Sequence, residues 1–256
     1  AIALIFHLLH LPHDTDERVL EANLTPAERD LIVRMIETRC QEKIPVAYLT
    51  GEAWFAGLCF KVDERVLIPR SPIAELIEQQ FKPWIVTPIQ SVLDLCTGSG
   101  CIGLACVEYL EANADLADIS TDALEIARQN ATIHGFSDHI RLLQSDVFDN
   151  IDGTYDLIVS NPPYVDSHDL STMPLEYHHE PKLGLEADED GLKFAREILL
   201  KAASFLNEQG SLILEVGNSW QALENAYPSV PFTWIEFSRG GHGVCIFTKN
   251  ELQRYF

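Results

Sequence analysis

Short apolar runs alternate with longer stretches of helical periodicity through most of the chain. Gln90-Ser-Val-Leu-Asp-Leu95 and Tyr155-Asp-Leu-Ile-Val-Ser160 are too short and too apolar for surface helices and read as buried strands. The same pattern predicts strands near 91–95, 114–118, 140–144, 155–160, 211–216, 232–237 and 243–248. Helices are predicted near 101–111, 121–134 and 190–207. Alternation of this kind predicts an α/β fold, a mostly parallel sheet with helices on both faces. The last two strands, separated only by Ser238-Arg-Gly-Gly-His242, predict an antiparallel hairpin with a flexible tip. Residues 1 to about 50 read as helical, and Thr25 followed by Pro26 is a good helix start. Trp54 to Ile68 predicts a β-hairpin with Asp63-Glu64 at its tip. The expected organisation is a helical N-terminal domain over 1–50, a linking β-hairpin over 51–70 and a larger α/β domain over 71–256.

Candidate chemistry gathers at the ends of the predicted strands, where open α/β sheets bind ligands. After the strand ending at Leu95 comes Cys96-Thr-Gly98-Ser-Gly100-Cys-Ile-Gly103, with the G-x-G-x-x-G spacing that allows a tight turn and close backbone approach to a ligand. Asp118 lies 20 residues after Gly98, a fitting offset for an acid that holds a ribose hydroxyl pair. A nicotinamide dinucleotide and S-adenosylmethionine both remain open on that evidence. Asp94 separates them, because a carboxylate just ahead of the glycines suits an ammonium and a sulfonium better than a pyrophosphate. Ser145-Asp146-Val147-Phe148 closes another strand, where Asp146 could accept from an adenine amino group and an apolar neighbour could cover the ring.

Asn161-Pro162-Pro163-Tyr164 follows the strand at 155–160. Neither proline has an N–H, and Pro162 pushes Asn161 toward extended geometry, so carbonyls here are free to accept from a ligand. The Asn161 side-chain oxygen and the Pro162 carbonyl would form a pair of acceptors suited to a planar NH2 group, with Tyr164 as an aromatic wall.

On Pro45-Val-Ala-Tyr-Leu-Thr-Gly51, Trp54-Phe-Ala-Gly57, Val66-Leu-Ile-Pro-Arg70, Asp94-Leu-Cys-Thr-Gly-Ser-Gly100, Asn161-Pro-Pro-Tyr164, Glu180-Pro181, Asp190-Gly-Leu192 and Glu215-Val-Gly-Asn218, the chain resembles the class I S-adenosylmethionine-dependent methyltransferases, and within them the N5-glutamine methyltransferases. The branch that methylates release factors carries Pro-Asp-Thr-Glu after the Pro-Arg pair. Ser71-Pro-Ile-Ala-Glu75 here resembles instead the branch that modifies a glutamine of large-subunit ribosomal protein three. The resemblance implies a Rossmann-like, seven-stranded sheet whose last strand is antiparallel. It also implies cofactor contacts from Asp94, Cys96, Thr97, Gly98, Ser99, Gly100, Asp118, Asp146, Val147, Phe148 and Asn161. Substrate would be held by Asn161, Pro162, Pro163 and Tyr164, with Asn161, Pro162 and Tyr164 carrying the chemistry. Asp188 departs from the family, which often has glycine there. The chain begins at Ala1 and relatives carry a longer helical N-terminal segment, so a fragment is expected.

Charge bears on the partner. With 18 basic and 39 acidic residues, the net charge is −21. Enzymes that methylate adenine in nucleic acid use a similar Asn-Pro-Pro-Tyr motif but need a basic surface to neutralise phosphates. A free ribosomal protein is generally basic and would be steered to an acidic cleft. A basic ribosomal protein met before ribosome assembly is therefore the expected partner, with a release factor as alternative and no direct DNA binding. Six cysteines without a C-x-x-C pair read as buried reduced thiols of a cytoplasmic protein, and no apolar run is long enough for a membrane span. Neither His7, His10 and His13 nor His178-His179 makes a convincing metal set, and no metal is expected. Cys96 has no histidine beside it and is not expected to act as a nucleophile.

Overall fold

The computed structural model describes residues 2–12, 15–165, 173–187 and 190–256. Seven strands form the main sheet: β3 (Ser91–Leu95), β4 (Asn113–Asp118), β5 (Ile140–Gln144), β6 (Tyr155–Ser160), β7 (Leu206–Glu215), β8 (Thr233–Trp234) and β9 (Val244–Thr248), in the order β5-β4-β3-β6-β7-β9-β8. The β5, β4, β3, β6 and β7 strands run parallel, and β9 is antiparallel to both β7 and β8. The order reverses between β3 and β4 on one side and β6 on the other, which opens the crevice where such sheets bind ligands.

Period-two alternation along the strands divides two cores. Val92, Leu116, Leu157, Val159 and Ile213 bury against α4 (Ile73–Glu78), α5 (Cys101–Leu110) and α6 (Thr121–His134). Leu93, Leu95, Ile158, Leu212 and Leu214 bury against α7 (Lys193–Lys201), α8 (Trp220–Ala226) and α9 (Lys249–Tyr255). Because both faces are covered, the central strands read as continuous apolar runs. Gly103 lets α5 sit close on β4, since a Cβ there would stand 2.1 Å from Leu116 Cδ2.

The N-terminal region holds α1 (Ile2–Leu8), α2 (Pro26–Glu42) and α3 (Val46–Thr50). Thr25 caps α2 in a capping box: its hydroxyl accepts from the Glu28 N–H at 3.3 Å, and the Glu28 carboxylate accepts from the Thr25 N–H at 2.8 Å.

The expected hairpin is shorter and turns elsewhere. Strands β1 (Glu52–Phe55) and β2 (Leu58–Lys61) pair around Ala56-Gly57, both at positive φ, as a two-residue hairpin turn requires. Asp63-Glu64 is not the tip. Asp63 instead accepts from the Arg65 N–H and closes a separate turn beyond β2. The helix expected over 190–207 ends at Lys201, where a 3-10 turn over Ala202–Phe205 delivers the chain to β7. β7 begins at Leu206 rather than near 211, and β8 spans two residues rather than six. The short helices α4, α8 and α9 were not legible in the periodicity, being a turn or two long. The 238–242 loop is not a free tip, because the buried Glu75 carboxylate accepts from Ser238 N, Ser238 Oγ and Arg239 N. Cys40 is exposed, whereas Cys101, Cys106 and Cys245 are buried as expected.

Candidate active site

The turn after β3 is built from backbone geometry that few side chains tolerate: Cys96, Gly98 and Gly100 all have positive φ. Asp94 holds it from below. One carboxylate oxygen accepts from Thr97 Oγ1 at 2.6 Å and from the Gly103 N–H at 2.9 Å, joining strand end, turn and the start of α5. Only 1 % exposed, Asp94 does not line the cavity above, and its other oxygen is buried without a partner among the described residues. Burial pushes this carboxyl up to about 7 against the opposing pull of those two donors. The structure thus places Asp94 beneath the turn rather than beside a ligand's cationic groups. The reason is strand alternation, which aims Asp94 to the same side as Val92, under α5.

Above the turn lies a cavity of about 270 Å³. Cys96, Thr97, Gly98, Ser99, Asp118, Asp146, Val147 and Asn161 all line it, so eight of the residues expected to meet the cofactor share one space. Gly100 and Phe148 do not. A Cβ on Gly100 would face Ala127 and Leu104, and Phe148 stacks on Phe205 in the core, 4.5 Å between centroids. Asp118 accepts from the Gly98 N–H and the Ser120 N–H, each at 2.9 Å, and burial raises its carboxyl. Each of its oxygens keeps a lone pair for a further donor. The opposite wall, which sequence reasoning missed, comes from Arg65–Ser71 after the hairpin and from Lys193 and Phe194 opening α7. Asn130, wholly buried in α6, ties hairpin to turn: its NH2 donates to Lys61 O and Ser99 O, and its oxygen accepts from the Lys61 N–H.

Asn161 stands at a junction. A second cavity, of about 160 Å³, is lined by Pro162, Tyr164, Val165, Met173, Tyr177, Leu185 and Asn218, and it shares Leu67, Arg70, Asn161 and Gly184 with the first. Pro163 lines only the first cavity and Pro162 only the second. Ser160 anchors this strand end, its buried hydroxyl donating to Leu95 O at 2.8 Å. Among the described residues the Asn161 carboxamide has no hydrogen-bond partner, so both its ends are open to ligands.

Tyr164 is braced on three sides. Its hydroxyl donates to Glu215 at 3.4 Å, its carbonyl accepts from Ser219 Oγ at 2.9 Å, and its ring lies so close to Gly217 that a Cβ there would stand 2.5 Å away. Glu215 is buried and also accepts from Ser71 Oγ at 2.5 Å. Burial pushes its carboxyl up to about 7. Across the mouth, Arg70 donates to Glu180 at 2.7 Å and stands 5.1 Å over the Tyr177 ring. Glu180 also accepts from the Ile68 N–H at 3.1 Å, which fastens the 173–187 segment to the cavity wall. The resemblance motifs contained Arg70, Glu180, Glu215 and Asn218, but nothing in their spacing showed that they meet here.

Asp188 and His13 lie outside the described residues. His7 faces Glu52 at 3.4 Å, and His179 Nε2 is 2.8 Å from the Glu42 carbonyl. Among the described residues no three metal-ligating side chains gather.

Residues 76–176 match the model of the methyltransferase small domain (MTS) family. Two curated relatives named ribosomal protein uL3 glutamine methyltransferase align over nearly the whole chain. That of Francisella tularensis subsp. tularensis is 50% identical over 259 residues, covering 100% of this chain and 82% of the relative. That of Neisseria meningitidis serogroup A is 47% identical over 255 residues, covering 98% and 84%. The chain belongs to the uL3 glutamine methyltransferase family. Solved structures show the class I methyltransferase fold for this family member as well. A methyltransferase from Pyrococcus furiosus superposes with TM-score 0.55 at 16% identity, over 88% of this chain and 99% of that one. The hMettl16 catalytic domain in complex with MAT2A 3'UTR hairpin 6 superposes with TM-score 0.56 at 15% identity, over 90% and 84%. At such identity only the fold carries over. The methyltransferase uses S-adenosylmethionine, and its first cavity fits that molecule. The glycine turn leaves the backbone open on the cavity side, and Asp118 and Asp146 are acceptors suited to hydroxyl and amino groups.

Proposed function

We propose that this methyltransferase transfers a methyl group from S-adenosylmethionine to the side-chain nitrogen N5 of a glutamine in ribosomal protein uL3, before that protein joins the ribosome. The observation that carries the reading is the junction at Asn161, where the first cavity and a smaller pocket lined by Pro162 and Tyr164 meet. An amide nitrogen is a poor nucleophile because its lone pair is delocalised into the carbonyl. Bound in the first cavity, S-adenosylmethionine supplies an electrophilic methyl carbon on a sulfonium. The chain's own residues supply position. Asn161 Oδ1 and the Pro162 carbonyl each accept one N–H of the glutamine, which holds the nitrogen toward the first cavity and raises its electron density as it pyramidalises. Tyr164, braced by Glu215 and Gly217, packs on the aliphatic stem. The proton to be lost becomes strongly acidic once the new bond forms, so water at the Asn161 end suffices to take it. Fixing the reactants in line contributes up to about 7–11 kcal/mol, enough to make positioning the main source of acceleration.

Asp118 and Asp146 would hold the ribose and adenine ends, with Cys96 to Ser99 against the methionine part; Asp94 acts through the turn it supports. The net charge of −21 supports a basic protein partner over nucleic acid. A narrow pocket beside the cofactor cavity also favours a target on an unassembled, accessible chain.

Incubation with labelled S-adenosylmethionine and, separately, free uL3, assembled large subunits, release factors and DNA tests the reading, with the label mapped by mass spectrometry. Label on a glutamine of free uL3 and none on assembled subunits is the expected result. Label on a release factor or on adenine refutes the substrate assignment, and equal labelling of assembled subunits refutes the timing.

A further inference from the structure

A target glutamine presents two N–H donors and a carbonyl oxygen. With its N–H groups on Asn161 and Pro162, the bound glutamine's oxygen has no donor yet assigned, an arrangement that weakens binding. Among the described residues, the polar side chains that line the second cavity are Arg70, Asn161, Tyr164, Tyr177 and Asn218. Tyr164 gives its proton to Glu215, and Arg70 is drawn toward Glu180 and the Tyr177 ring. Asn218, at the mouth, is held differently. Its Oδ1 accepts from His242 Nε2 at 2.9 Å. That bond requires the tautomer with hydrogen on Nε2 and sets the carboxamide oxygen toward His242. With its oxygen on His242, which does not line the cavity, Asn218 keeps its NH2 free as the donor it can offer there.

The neighbours of Asn218 are held by close contacts. Gly217 precedes it at φ +46° against the Tyr164 ring, and Ser219 follows it with its hydroxyl on the Tyr164 carbonyl. The loop carrying His242 is seated on the same turn: the Val216 N–H donates to Gly243 O at 2.7 Å, and a Cβ on Gly243 would stand 2.1 Å from Gly217 O. Glu75 pins the loop's other end through Ser238 and Arg239.

We infer that Asn218 binds substrate by donating from its carboxamide NH2 to the carbonyl oxygen of the target glutamine, and that His242 is the positioning residue that turns this end toward the pocket. The inference rests on the glutamine reading above. A donor on the amide oxygen favours the resonance form in which the nitrogen lone pair is tied up, so it tightens binding without assisting attack. Its loss belongs in KM rather than kcat.

Steady-state methylation of free uL3 by the wild type, Asn218→Asp, His242→Ala and His242→Gln tests this, alongside cofactor Kd by calorimetry and Tm. Asn218→Asp replaces a donor with an acceptor and should raise KM for uL3 about 10-fold, with kcat, cofactor Kd and Tm near wild type. His242→Ala should raise KM about threefold, and His242→Gln, which keeps an N–H donor, should restore it. A wild-type KM in Asn218→Asp overturns the inference, as does a fall in kcat at constant KM or a His242→Gln variant no better than His242→Ala. A wild type that labels no glutamine in uL3 overturns both this inference and the function it rests on, whereas normal wild-type labelling with an indifferent Asn218→Asp overturns the inference alone.

Discussion

Replacing Glu215 with glutamine should stabilise the protein more at pH 8 than at pH 5. In the unfolded chain a glutamate titrates near 4.5, whereas burial in the folded protein pushes Glu215 up to about 7. The donors Ser71 and Tyr164 offset only part of the burial cost. The folded state therefore keeps a proton that the unfolded chain has released between those two values. Stability contributed by the raised carboxyl is fully present below pH 4.5 and is lost as pH rises through 7. Each pH unit inside that window costs about 1.4 kcal/mol, so the accumulated penalty at pH 8 is about 3 kcal/mol. Glutamine fills nearly the same volume, can still accept from a hydroxyl, and carries no charge at either pH. Urea denaturation of both proteins at pH 5 and pH 8 gives a double difference in which pH-independent changes in hydrogen bonding cancel. Part of the penalty is already present at pH 5, so the variant should gain about 2.5 kcal/mol relative to wild type on going from pH 5 to pH 8. A double difference below about 0.5 kcal/mol would show that burial does not raise the Glu215 carboxyl.

Three other outcomes follow from the same geometry. Asn161→Ala should lower turnover of uL3 by about 100-fold or more while cofactor affinity stays within a few-fold, as read by single-turnover kinetics and calorimetry; near-normal turnover would sink the positioning mechanism. Gly217→Ala puts a methyl group 2.5 Å from the Tyr164 ring at a left-handed φ, so it should weaken uL3 binding by about 10-fold and lower Tm, leaving cofactor Kd within twofold. Asn130→Ala strands three backbone groups, Lys61 N, Lys61 O and Ser99 O, and should cost about 2–4 kcal/mol in denaturant while weakening cofactor binding through the loosened turn.

Much of this protein was readable from local chemistry. The strands at 91–95, 140–144 and 155–160 and the helix at 121–134 stand where the patterning puts them; β3 and β6, covered on both faces, are the ones apolar nearly throughout. The glycine turn, Asp118, Asp146 and Asn161-Pro-Pro-Tyr164 were visible for a related reason: tight turns and proline constraints are written in a few adjacent residues. Side-chain direction was decided only in three dimensions. Asp94 went under the turn rather than over it because β3 must present Val92 and Asp94 to α5, and Phe148 went into the core to meet Phe205. The hairpin tip moved from Asp63-Glu64 to Ala56-Gly57, whose positive φ pairs Phe55 with Leu58. Nor could any local pattern reveal the second cavity, whose walls come from residues 67–70, 161–165, 173–185 and 218. These segments are far apart in sequence, and what brings them together is long-range polar contact at the sheet's carboxyl edge: Arg70 with Glu180, Tyr164 with Glu215, and Asn218 with His242. The sequence alone determined the fold and gathered most of the residues that line the first cavity, since both rest on short-range periodicity and turn geometry. Only the tertiary structure decided which side chains line the second cavity, because that depends on which distant segments the closed sheet edge brings within hydrogen-bond reach.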